Sequence, residues 1–186
     1  LILIIQLLKE GGRAALVLPD GFLFGEGIKT RIKEKLLEDC NLHTVVRLPN
    51  SVFAPYTSIK TNLLFFNKGS PTKDIWFYEQ QLPKDVKAYN KTKPMKINEL
   101  DELANWWGKP EDNYKSRKEN SQSWKVSIEK IKSHNYNLDY KNPHIVKQEI
   151  HDPELLISEY AEIKKKTDSL RNKIKNILFD SFKIID

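Results

Sequence analysis

Apolar and polar residues follow one another in blocks of two different periods, and the blocks predict the elements. Leu1–Ile5 is wholly apolar. With the residues up to Glu10 it reads as the end of a buried helix, stopped at Gly11-Gly12, because glycine accepts the left-handed backbone of a helix C-terminus. Arg13–Leu18 (RAALVL) is almost continuously apolar and closed by Pro19. That is the pattern of a strand buried on both faces, as in a parallel sheet. Asp20-Gly21 then turns the chain, and Gly25 and Gly27 keep the next stretch irregular. In Ile28–Asp39, Ile28, Ile32, Leu36 and Leu37 fall on one helical face with Lys and Glu opposite. The β-branched run Leu42–Leu48 is the next strand, ended by Pro49. Helix and strand alternate here as in a βα-type sheet. A loop, Asn50–Thr57, precedes another apolar run, Ile59–Phe66. The loop is too short for a crossover helix, so this strand should run antiparallel to its predecessor. After the turn Asn67–Pro71, Asp74–Glu79 (DIWFYE) predicts one more strand, with an antiparallel pair at the edge of a parallel sheet.

The pattern then weakens. Residues 80–123 are rich in Lys, Asn, Pro and Asp and read as mostly irregular, with one short helix near Asn98–Trp107 capped by Asn98. Trp106-Trp107 is expected to be a packing anchor. Ser127 opens another short helix, and Asn135–Pro143 (NYNLDYKNP) is extended or turn-like. Asp152-Pro153-Glu154 combines a capping acid, a proline at the first helical position and an acid in the first turn, a strong helix start. From there no Gly or Pro occurs up to Lys183. Leu156, Tyr160, Ile163, Thr167, Leu170, Ile174 and Ile177 recur at alternating spacings of four and three. That is a heptad seam with one polar member, on a helix about 45 Å long at 1.5 Å per residue. The seam can meet a helical partner, fold back on the body or pair with its own copy. The expected division is therefore a sheet body at 1–80, a lysine-rich extension at 81–151 and an assembly helix at 152–186.

Composition narrows the chemistry. The 186 residues carry 31 Lys and Arg against 25 Asp and Glu, a net charge of +6. A mildly basic body permits nucleic-acid contact without demanding it. One cysteine, Cys40, rules out an internal disulfide and a cysteine-rich zinc site, and implies a reducing, cytoplasmic setting. The four histidines have no ligand spacing, so no metal is expected. The opening apolar run lacks the flanks of a signal peptide and is far shorter than the roughly 20 residues that span a bilayer. No membrane partner is expected. The first residue is not Met, and the chain is expected to start inside a longer polypeptide.

Three strings, GGRAALVLPDGFLF, LHTVVRLPNSVFAPYTSIKTNLLFF and NYNLDYKNP, followed by the C-terminal helix, carry a family resemblance across about residues 9–183. The sequence resembles the C-terminal part of the modification (methyltransferase) subunit of type I restriction–modification systems, adenine-N6 DNA methylases that use S-adenosylmethionine. The resemblance implies an α/β fold: the C-terminal half of a Rossmann-like S-adenosylmethionine-dependent methyltransferase sheet, with an antiparallel last strand and a long C-terminal helix. Arg13–Leu18 would be the fifth strand of that sheet. Leu42–Leu48 and Ile59–Phe66 would be the last two, one of them antiparallel and inserted between its neighbours.

What the resemblance implies for function follows from position. Parallel α/β sheets place ligands at the carboxyl ends of their strands, here Pro19–Phe22 and Pro49–Thr57. An adenine amine inside a duplex must be flipped out before it meets a methyl donor, and the flipped base needs an aromatic face. Phe53 holds the matching position, either as that stacking face or as a hydrophobic plug for the sheet end. Tyr56, Thr57 and Lys60 are candidates for DNA-backbone contact; Lys60 can equally be an exposed strand lysine. Asp20 and Phe22 are candidates for the pocket rim, although Asp20 also suits a plain turn. The glycine-rich cofactor loop and the catalytic Asn-Pro-Pro-aromatic tetrad of the family do not occur in this sequence. No catalytic residue is therefore assigned, and the chain alone is expected neither to bind S-adenosylmethionine nor to methylate DNA. The implied partners are the specificity and restriction subunits and, in the assembled complex, DNA. The alternative is a non-enzymatic assembly module that binds the specificity subunit.

Overall fold

The computed structural model describes residues 1–110, 114–144 and 153–183. The chain divides into two compact units, residues 1–145 and 146–186. The first unit is a five-stranded mixed sheet: β1 (Arg13–Pro19), β2 (Cys40–Arg47), β3 (Thr61–Lys68), β4 (Asp74–Glu79) and β5 (Ser123–Ser127), in the order β1-β3-β2-β4-β5. β3 runs antiparallel to both its neighbours, with Ala15 opposite Phe65 on one side and Val45 opposite Leu64 on the other. β2 and β4 are parallel, and β5 closes the sheet antiparallel to β4.

Alternate residues of the central strands feed two cores, as the period of a strand requires. Val45, Leu64, Phe66 and Phe77 face one way, onto helices α1 (Ile2–Leu7), α3 (Ile28–Asp39) and α5 (Ile128–Ser133), which contribute Ile5, Leu36, Leu37 and Ile131. Val46, Tyr78, Leu63 and Phe65 face the other way. They meet Leu100 of a 3-10 turn (Ile97–Leu100), together with Leu103 and Trp106 of α4 (Asp101–Trp106) and the adjoining Trp107. The paired tryptophans anchor this layer. Trp106 packs on Trp76 and Tyr78, Trp107 packs edge-on against Phe65, and the Arg117 guanidinium lies over both indoles.

Several expectations are corrected. β1 is not buried on both faces. It alternates exposed and half-buried residues at the margin of the described sheet, so its apolar run reflects one covered face and a side with no described strand. α1 is shorter than the apolar run, and only Ile5 in it is buried. The antiparallel strand is not at the edge: β3 is inserted between β1 and β2, as the family resemblance implied, and β4 and β5 continue the sheet beyond β2. β5 was not anticipated. It is drawn into the sheet by Trp124 and Val126, which enter the core, and by the ladder to β4. Asp20-Gly21, read as a turn, opens a helical turn, α2 (Asp20–Leu23). Asn98 lies within the 3-10 turn and does not cap it; Glu99 instead accepts from the Lys96 amide through Oε1. On α3, Ile28 is 78% exposed, and Lys33 takes a place on the buried face.

The second unit holds α6 (Pro153–Lys183), a single helix of 31 residues. Asp152, expected to cap it, lies outside the described residues, as does the side chain of Leu156. Among the described residues, no helix is long and apolar enough to cross a membrane.

Candidate functional site

The ends of β1 and β2 and the start of β3 meet at one rim of the sheet, and three separate sequence strings converge there. Asp20, directly after β1, accepts at Oδ1 from Asn62 Nδ2 (3.1 Å) and from Arg47 Nη2 (3.2 Å). Its amide donates to the Lys60 carbonyl at 2.8 Å. Arg47, the last residue of β2, also pairs with Asp139 at 2.7 Å and donates through Nη1 to the Tyr140 carbonyl at 3.0 Å. Asp139 and Tyr140 belong to the NYNLDYKNP string, so one guanidinium ties that segment to two strand ends. The fork of Arg is suited to this, since it donates to several acceptors in fixed directions.

The loop behind Asp20 is held from below by two lysines of α3. Lys33, only 1% exposed, donates through Nζ to the carbonyls of Leu23 (2.8 Å) and Gly25 (3.0 Å). Burial first, then the neighbouring Lys29, push its pKa down, while Glu26 opposes the shift. Lys29 donates to the Gly21 carbonyl at 3.0 Å. Gly25 is required for that clamp, because a Cβ there would lie 2.2 Å from Lys29 Cδ and 2.8 Å from the Gly21 carbonyl oxygen. The Leu23 carbonyl also accepts from the Leu138 amide at 3.0 Å, a second bond to the NYNLD string.

A cleft of about 300 Å³ opens beside this network, lined among others by Asp20, Arg47, Lys60, Asn62, Glu79 and Gln80. Its volume lies at the lower end of the range for small-ligand sites. Two acceptors on its lining residues, Glu79 Oε2 and Gln80 Oε1, are buried without a hydrogen-bond partner. Such oxygens are relieved by a donor on a bound molecule. Of the residues singled out from sequence, Asp20 and Lys60 line this cleft. Phe22 is half-buried and packs against the helical core. Phe53 and Tyr56 stand on the adjoining β2–β3 loop, 39% and 93% exposed. The loop is braced by its own turns, with the Tyr56 and Thr57 amides donating to the Phe53 carbonyl, and by the Tyr89 amide donating to Ser51 Oγ at 2.8 Å. Val52, the residue before Phe53, takes the packing position against the second core. Thr57 Oγ1 accepts from the Ile59 amide at 3.1 Å.

Sequence reasoning missed Lys33, Asn62 and Asp139. It also missed the residues that fasten the extension to β2. Arg117 donates to the Trp107 carbonyl (2.7 Å) and to Thr44 Oγ1 (2.8 Å). His43 stacks on Tyr114 with ring centroids 4.5 Å apart. Burial, and secondarily the Arg117 charge, lower the His43 pKa to about 4, so the ring is neutral at pH 7. His43, Tyr114 and Arg117 line part of a larger cleft of about 790 Å³ beside the starts of β2 and β4.

On α6 the seam residues Tyr160, Ile163, Leu170, Ile174 and Ile177 are between 58% and 66% exposed. Thr167 turns its hydroxyl back to the Ile163 carbonyl at 2.9 Å.

Comparison with known proteins matches residues 1–152 to the family model described as N-6 DNA Methylase. The chain is 55% identical over 176 residues to the type I restriction enzyme EcoEI methylase subunit of Escherichia coli, covering 95% of this chain and 36% of that protein. Among solved structures it superposes with a TM-score of 0.69 and 47% identity on a modification subunit assigned to a type I restriction enzyme of Vibrio vulnificus YJ016, covering 77% of this chain and 31% of that one. A second structure, from work on complex assembly and conformational transition of the type I R-M system, matches with a TM-score of 0.69 at 32% identity over 92% of this chain and 37% of the other. The chain thus spans only 36% of the length of the EcoEI relative.

Proposed function

The chain belongs to the N-6 DNA methylase family, and on that premise we propose that it supplies the distal half of the catalytic sheet of a type I modification subunit. The whole protein would methylate adenine N6 in DNA with S-adenosylmethionine, in the cytoplasm. The observation that carries this reading is the convergence at Asp20, Arg47, Asn62 and Asp139 of three strings that are far apart in sequence, at the strand ends where α/β sheets take their ligands. In this reading Phe53 stacks on the flipped adenine. Its ring stays accessible while Val52 does the packing, which favours the stacking role over the plug. Tyr56, Thr57 and Lys60 contact the flanking backbone, where charge and hydroxyl groups position DNA without reading it. Asp20 forms the rim, with Phe22 packed into the core behind it.

The described residues do not by themselves suit S-adenosylmethionine. Asp20, the acid at the strand ends, already accepts from Arg47 and Asn62, and no glycine-rich turn follows β1 in the form a nucleotide needs. The chain's own work is therefore to hold the base and the rim in place. The open side of β1 is where the cofactor-bearing half of the sheet would pair. The α6 seam would receive helices of the specificity subunit, and the restriction subunit would join the same complex.

The test is Phe53→Ala in the longer methylase polypeptide that contains this segment, assembled with its specificity subunit. Methyl transfer from tritiated cofactor to DNA should fall on the order of a hundredfold in kcat, with DNA affinity changed by less than about threefold. Unchanged kcat would overturn the assignment.

A further inference from the structure

The central stretch of the α6 seam, residues 164–173, is flanked by charge of one sign. With Tyr160, Thr167 and Ile174 at one core position of the heptad and Ile163, Leu170 and Ile177 at the other, the central flanking positions are Lys164, Lys166, Arg171 and Lys173. All four are exposed. The acids among the described side chains of the helix, Glu162 and Asp168, sit away from the seam, and Asp168 lies 3.9 Å from Arg171. Flanking positions decide which helices pair, because their side chains face each other across the interface. We propose that α6 docks onto a helical partner whose own seam is flanked by Asp and Glu, and that it does not pair with a second copy of this chain. This rests on the reading of the seam as an assembly surface and names the chemistry of what covers it.

The sequence of charges opposes antiparallel self-pairing and gives parallel self-pairing no net gain. A parallel pair sets Lys166 against Arg171 on each side and Glu159 against Lys164 on each side, so repulsion and attraction cancel. A fully overlapped antiparallel pair sets Lys166 against Lys173 and Lys164 against Arg171. An acidic partner turns each contact made by Lys164, Lys166, Arg171 and Lys173 into an attraction. Ile157 and Leu178 are exposed apolar residues at flanking positions near the two ends of the helix. They widen the two-residue seam towards the broader apolar face of a helix packed in a bundle.

The experiment uses the 186-residue chain and two synthetic four-heptad peptides with identical leucine seams, one flanked by Glu and one by Lys. Fluorescence anisotropy at low salt should show the Glu peptide binding at least tenfold more tightly, with the gap closing as salt is raised. The quadruple variant Lys164→Glu, Lys166→Glu, Arg171→Glu and Lys173→Glu, which alters only exposed positions, should reverse the preference. Equal binding of both peptides, binding of neither, or a preference that the quadruple variant leaves in place would overturn the proposal. So would self-association, measured by sedimentation, that is abolished by Ile163→Asp with Leu170→Asp. If the Glu peptide is preferred but a type I specificity subunit binds the double seam variant unchanged, the charge rule stands and the assignment of that subunit as partner fails.

Discussion

Replacing Arg47 by Met removes the guanidinium that joins both strand ends to the NYNLD segment while keeping the aliphatic stem that packs beside it. Two carboxylates lose their cation, Asp20 at 3.2 Å and Asp139 at 2.7 Å, and the Tyr140 carbonyl loses a donor. The Arg47 side chain is 11% exposed, and the carboxylates are 23% and 21% exposed. Removing one partner of a buried pair costs about 3–5 kcal/mol. Partial access of water to both acids places the expected loss near the bottom of that range, about 3 kcal/mol. For a protein of this size that lowers the melting temperature by roughly 6–12 °C. Thermal unfolding followed by near-ultraviolet circular dichroism reads it, because the first unit, residues 1–145, carries all four tryptophans. A double-mutant cycle with Asp139→Asn should give a coupling above about 1 kcal/mol. A loss under about 0.5 kcal/mol, the level of a solvated surface pair, would refute the view that Arg47 is the tie of this rim.

Further outcomes follow from the same geometry. Gly25→Ala drives a Cβ into Lys29 and the Gly21 carbonyl and should destabilise by about 1–3 kcal/mol, read as a lowered urea midpoint. His43, with its folded pKa depressed to about 4, binds its proton more readily when unfolded. Its contribution is therefore fully present above pH 6.5 and lost as pH falls towards 4, by up to about 3 kcal/mol. His43→Gln should flatten that part of the stability–pH curve relative to wild type. Ile163→Asp with Leu170→Asp should abolish binding to a specificity subunit in a pull-down while leaving the melting of the sheet body unchanged.

Much of the sheet could be read from residue patterns. The antiparallel course of β3 follows from a loop too short for a crossover, and α3 matches its expected bounds, Ile28–Asp39. The clearest misses have physical causes. Lys33 looks like a solvent-facing residue because its burial depends on two backbone carbonyls from the preceding loop, and a hydropathy pattern holds no record of them. β5 is five residues long and follows a polar stretch, so only its pairing to β4 defines it. Asp20 could be picked out by its place after a strand. Its partners Asn62 and Asp139 are brought to it by the fold alone, and their distance along the chain hides them. The heptad of α6 is a local pattern and is read without the fold; the helix that carries it runs over Pro153–Lys183.

The central claim concerns the β2–β3 loop and is tested most directly by photocrosslinking. DNA carrying 5-iodouracil in place of the target adenine is irradiated with the assembled methylase, and the adduct is mapped by mass spectrometry. The account predicts a crosslink on the peptide containing Phe53, lost in Phe53→Ala at unchanged DNA binding. A crosslink that forms only outside residues 50–60, and persists in that variant, would contradict it.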